Sequence, residues 1–127
     1  MSELYKVKAE LFRTLGHPAR IRILELLSEQ DRPVHELLAS IDIEQSNLSQ
    51  QLAVLRRAGL VSQRRVGGEV VYAASVPAVA ELLRIARRLL VDLLQGQQTL
   101  KAELEDSAEP APAPASEPVP QSGSIRA

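Results

Sequence analysis

Between residues 45 and 72 the chain gathers side chains suited to reading duplex DNA. The run Gln45-Ser46-Asn47-Leu48-Ser49-Gln50-Gln51 interleaves amides and hydroxyls with a single leucine. Asn and Gln can pair bidentately with adenine, and Ser can bond either bases or phosphates. Four arginines follow, Arg56, Arg57, Arg64 and Arg65, against one acid, Glu69. The chain as a whole carries a net charge of −1. A surplus of three positive charges within one short segment is therefore a directed patch rather than bulk basicity. Alone, the arginines would read as a solvated face and the polar run as a helix start with capping serines. Their coupling across a glycine-tipped β pattern, with Gly67 and Gly68 at its centre, is what points to nucleic acid.

Other chemistries lack their residues. Cysteine is absent from the 127 residues, which excludes disulfides, thiolate metal sites and thiol redox sensing. His17 and His35 are the only histidines. His35 reads as a surface residue and His17 as a helix-junction residue that caps or packs. No nucleophile–base pair, phosphate-binding glycine loop or metal-ligand cluster is legible, so neither an enzyme, a cofactor nor a metal is expected. No run approaches the ~18 apolar residues of a membrane span. The N-terminus MSELYKVKAE carries charges where a signal peptide needs an apolar stretch. A soluble, cytoplasmic protein without a membrane partner is expected.

The elements that must position these residues follow from periodicity. With only Phe12, Tyr5 and Tyr72 as aromatics, the core must be aliphatic. Leu4, Val7, Leu11, Phe12 and Leu15 share one face of a first helix after Ser2. Pro18 opens a second helix carrying Ile21, Ile23, Leu24, Leu26 and Leu27. A short third helix holds Val34, Leu37, Leu38 and Ile41. After a turn at 41–44, a fourth begins at Gln45 or Ser46, with Leu48, Leu52 and Leu55 on the face away from the polar run, and Gly59 ends it. Two β-branched segments flank Gly67-Gly68, a hairpin signal. One long helix is expected from about Pro77 to Leu104, with Val79, Leu83, Ala86, Leu90, Leu93 and Gln97 in its stripe. Residues 107–127 hold five prolines alternating with alanine, and a disordered tail is expected there. The folded domain is thus placed at 1–106.

Two short helices joined by a turn, then a two-stranded ribbon, is the layout of a winged helix-turn-helix, mainly α with a small β-hairpin. In such a fold the second helix of the pair enters the major groove, and its N-terminal end meets base edges and phosphates. Arg64 and Arg65 lead directly into the wing tip.

The run from Leu15 to Tyr72 resembles the ArsR/SmtB family of bacterial winged-helix repressors. LGHPARIRILELL is similar to that family's second-helix signature, SNLSQQLAVLRRAGLV to its recognition helix, and RRVGGEVVYA to its wing. The resemblance implies a homodimer on an imperfect inverted repeat of double-stranded DNA, released when an effector binds. Carried over by position, Ser46, Ser49 and their neighbours would read DNA, and Arg64 and Arg65 would be wing contacts. Gln51 stands where many members have histidine.

The first and last helices resemble the family's dimerisation elements. A leucine stripe on a helix longer than so small a domain can cover also needs a partner. Leu4, Val7, Leu11, Leu83, Ala86, Leu90 and Leu93 are therefore expected at a dimer interface. The family's metal sites find no match: the third helix offers Val34-His35-Glu36-Leu37-Leu38, and the last helix contains no histidine. The effector stays open between a small organic molecule, a partner protein and none. Two functions of different class remain: a DNA-binding repressor, or a winged-helix interaction module that does not bind DNA.

Overall fold

The leucine spacings and their proline and glycine interruptions set the element order of the computed structural model, which describes residues 2–95 and 98–107. Helices α1 (Glu3–Leu15) and α2 (Pro18–Glu29) precede a two-residue strand β1 (Arg32–Pro33). Helices α3 (Val34–Ser40) and α4 (Gln45–Arg57) form the helix pair. Strands β2 (Val61–Val66) and β3 (Glu69–Ala74) form the wing, and α5 (Pro77–Leu93) and α6 (Gln98–Asp106) complete the order. Two units meet within α5, one ending at Ile85 and one starting at Ala86.

Local chemistry explains the boundaries of the first unit. His17 is the N-cap of α2, its Nδ1 accepting from the Ala19 amide at 3.1 Å, with Pro18 at the first helical position. The α4 helix ends in a Schellman arrangement. The Leu60 amide donates to the Leu55 carbonyl and the Gly59 amide to that of Arg56, both at 3.0 Å. Gly59 supplies the required φ of +79°. At the wing tip Val66 pairs with Glu69 across Gly67 and Gly68, whose φ values are +59° and +82°. Positive φ at both central residues is the requirement of a type I′ hairpin turn.

The core is aliphatic. Ile23, Leu24, Leu37, Leu48, Leu52 and Leu55 are essentially inaccessible, and Leu26, Leu27, Leu60, Val61 and Val79 close around them. Each such side chain contributes about 1.5–3 kcal/mol of transfer free energy. Their burial fixes the face of α4 that turns inward, and therefore the face that turns out.

Two differences from the expected pattern have physical reasons. The sheet has three strands in the order β1-β3-β2, with Arg32 paired to Tyr72 and Pro33 to Val71. Two residues are too short to show a period of two, and Pro33 fits only a sheet edge. The single long final helix is instead two: α5 stops at Leu93 and α6 resumes at Gln98. The sequence between Leu93 and Gln98 includes a glycine, a residue type of poor helix propensity. Gln97 and the Pro/Ala-rich segment beyond Ser107 lie outside the described residues.

Candidate nucleic-acid interface

Helix α4 is two-faced. Leu48, Leu52 and Leu55 are buried, and Gln45, Ser46, Ser49, Gln50, Arg56 and Arg57 are exposed, so one side of the helix is open and polar along its length. Asn47 is half-buried at the margin of that side. The N-cap Glu44 makes no side-chain capping bond, and its carbonyl accepts from the Leu48 amide at 3.0 Å. The last turn carries Arg56 and Arg57.

Gln51 departs from the expected set. It is buried to 7% exposure, and both ends of its amide are engaged inside the protein. Arg20 Nε on α2 donates to Gln51 Oε1 at 2.8 Å, and Gln51 Nε2 donates to Asn47 Oδ1 at 2.9 Å. Arg20 Nη1 also donates to the Thr14 carbonyl in the last turn of α1, at 3.0 Å. An unpaired amide at this depth would cost about 1–3 kcal/mol, which the two bonds avoid. Gln51 thus joins helices rather than presenting itself outward. Arg20 escaped the sequence reading because its partner lies 31 positions away, beyond any local pattern.

The wing brings the remaining arginines to the surface. Arg64 lies opposite Val71 and Arg65 opposite Val70 in the β2–β3 register, and both arginines are exposed. Arg65 Nη1 donates to the Gly68 carbonyl at 3.1 Å, folding its head over the turn. Arg64 Nη1 pairs with Asp31 Oδ2 at 2.7 Å. His35 Nδ1 on α3 lies 3.0 Å from Glu69 Oε2 at the start of β3. Arg32 secures the same corner, donating from Nε to the Leu26 carbonyl at 3.1 Å and pairing with Glu29 at 2.7 Å. The wing is therefore fastened to the segment leading into α3, and to α3 itself, by the β1–β3 pairing, the Arg64–Asp31 ion pair and the His35–Glu69 contact. Asp31-Arg32-Pro33 reads from sequence only as the restart of the chain after α2; the pairing roles of Asp31 and Arg32 are not legible there, since charged residues beside a loop carry no distinguishing signal.

The expected dimer residues fall into each unit separately. In the first, Leu4, Val7 and Leu11 are exposed along α1, beside Tyr5 and Phe12, the last at 62%. Leu83 is half-buried and packs against its own core, so part of its apolar surface is already used. In the second unit Leu90 and Leu93 are exposed with Leu89, and Ala86 is half-buried. Among the described residues no three His, Cys, Asp or Glu side chains are grouped to hold a metal, and no helix is long and apolar enough to cross a membrane.

A helix pair whose second member is polar outward, followed by an arginine-bearing β-wing, defines a winged helix-turn-helix protein. The family model described as bacterial regulatory protein, arsR family, matches residues 17–63. An uncharacterized HTH-type transcriptional regulator of Mycobacterium tuberculosis, Rv0081, is 56% identical over 102 residues, covering 80% of this chain and 90% of its own. Its crystal structure superposes with a TM-score of 0.70 over 76% of this chain and 98% of that one, at 56% identity. The transcriptional repressor BigR from Xylella fastidiosa is 34% identical, with a TM-score of 0.60 over 70% of this chain and 96% of that one. A homodimeric winged helix-turn-helix DNA-binding domain from Mycobacterium bovis is 25% identical, with a TM-score of 0.64 over 76% of this chain and 94% of that one. The chain belongs to the ArsR family, a family of transcriptional regulators and not of enzymes.

Proposed function

We propose that this chain is a homodimeric repressor that binds an inverted-repeat DNA operator, with α4 in the major groove and the β2–β3 wing on the flanking backbone. The observation that carries the reading is the outward face of α4: Gln45, Ser46, Ser49 and Gln50 lie exposed on a helix whose other side is consumed by the core. A helix of about 10–12 Å diameter fits a major groove about 12 Å wide. Arg56, Arg57, Arg64 and Arg65 supply phosphate contacts around it. Arg64 exchanges Asp31 for a phosphate at low cost, since an exposed pair contributes only about 0.2–1 kcal/mol.

Dimer formation is supported by the apolar stripes on α1 and α5 and by the homodimeric Mycobacterium bovis domain; repression is supported by BigR. A two-fold axis sets two recognition helices about 34–36 Å apart, one turn of DNA. Selection of bound duplexes from a random library tests the proposal. The expected product is an inverted repeat with half-sites about one turn apart. A folded, dimeric protein that enriches no sequence would favour the alternative of an interaction module.

A further inference from the structure

Arg20 lies outside the recognition helix, yet the polarity of the amide chain reaching Asn47 begins with it. Guanidinium has donors only. The Gln51 atom facing Arg20 Nε at 2.8 Å is therefore Oε1, which turns Gln51 Nε2 toward Asn47. The Asn47 atom receiving that bond at 2.9 Å is in turn Oδ1. With Oδ1 drawn toward Gln51 and keeping only one further lone pair, the group Asn47 leaves wholly uncommitted is its Nδ2 with two protons. Its carbonyl, half of any bidentate pairing with adenine, is turned to the protein. Gln51 is buried and cannot trade its partners for water at no cost.

We propose that Arg20 is a specificity-determining positioning residue, orienting Asn47 to lead with its amide donors and so to prefer guanine to adenine in the major groove. Guanine presents two adjacent acceptors there, N7 and O6. Adenine presents N7 beside the N6 donor, and that donor would find Nδ2 instead of a carbonyl. The inference rests on the proposed insertion of α4 into the groove. It adds that the preference is imposed from α2, through a side chain that touches no DNA. The Thr14 carbonyl, held by Arg20 Nη1 at 3.0 Å, keeps the guanidinium in place.

The test uses the full chain and a duplex selected from a random library. The position read by Asn47 is the one whose guanine-to-adenine discrimination disappears in Asn47→Ala. There the wild type is expected to favour guanine by about tenfold, the scale of one good base contact. Arg20→Met frees both amides to rotate and is expected to bring the ratio close to one. Arg20→Lys, whose head still only donates, is expected to retain the preference. Gln51→Leu breaks the chain one step later, is expected to lose the preference too, and decides the question if Arg20→Met does not fold. Folding is followed by circular dichroism, and a purely structural role would lower stability without moving the base ratio. An unchanged ratio in a folded Arg20→Met or Gln51→Leu variant overturns the proposal, as does a wild-type preference for adenine at that position. A wild type that selects no sequence overturns the DNA-binding reading as well, and so separates the two failures.

Discussion

Arg64 Nη1 and Asp31 Oδ2 stand 2.7 Å apart, joining strand β2 to the residue just before β1, 33 positions earlier in the chain. Both side chains remain about half exposed. The wing's guanidinium thus has a carboxylate partner of its own, and any phosphate must compete with it.

Arg64→Ala is expected to reduce the slope of log affinity against log salt by about 2 in a dimer, one phosphate contact per protomer. Asp31→Asn removes the competitor and is expected to strengthen binding to random DNA by about 0.2–1 kcal/mol per protomer. Fluorescence anisotropy at several salt concentrations measures both. An unchanged slope in folded Arg64→Ala would take Arg64 off the list of phosphate contacts.

Gln50 is exposed at the leading end of α4, and its amide is expected to read a base. Gln50→Ala should cost about 1–3 kcal/mol on the selected site and far less on random DNA. Equal weakening on both would show that the residue orients the protein without reading sequence.

Leu52 is 1% exposed at the centre of the core, while Ser46 stands in solvent on the same helix. Leu52→Ala is expected to destabilise by about 2–5 kcal/mol, lost transfer energy plus a cavity. Ser46→Ala should stay within about 0.5 kcal/mol in stability while altering DNA affinity. Urea unfolding of the two variants separates the buried face from the open one.

The helices and hairpin were legible because each announces itself locally. Leucines at three- and four-residue spacing mark α4, Pro18 marks the start of α2, and Gly67-Gly68 marks the turn. What stayed hidden depends on residues distant in sequence. Strand β1 exists only because Tyr72 and Val71 offer it an edge, and Gln51 changes from surface amide to buried link only because Arg20 reaches it. The break between α5 and α6 was missed, because the leucine spacing on either side runs through it without interruption. The site was thus readable as a helix face and a wing. The bonds that orient its members belong to the tertiary fold.

Val7 is 58% exposed on α1 and Leu93 68% exposed on α5. Val7→Glu and Leu93→Glu, made together, are expected to leave the chain folded and convert a dimer to monomers, since neither residue serves its own core. Analytical ultracentrifugation reads the mass and circular dichroism the fold. A persistent dimer would place the interface elsewhere.

Zinc, copper and arsenite at low micromolar concentration are expected to leave operator affinity unchanged, as are thiol oxidants. The chain has no cysteine, and its two histidines are occupied in other ways: His17 caps α2 and His35 faces Glu69. A tight zinc site takes three or four ligands at about 2.0–2.3 Å. A metal that releases DNA by about tenfold, 1.4 kcal/mol of coupling, would contradict this.

The order β1-β3-β2 leaves the small sheet with two outer edges, and neither invites another chain to extend it. One edge is two residues long and includes Pro33, which has no amide proton to offer an incoming strand. The other carries Ser62, Gln63, Arg64 and Arg65, exposed polar and charged side chains that disfavour pairing with another strand. The wing is in this way protected against sheet-to-sheet polymerisation. The wing proposed to contact DNA can therefore stay exposed without becoming a seed for aggregation.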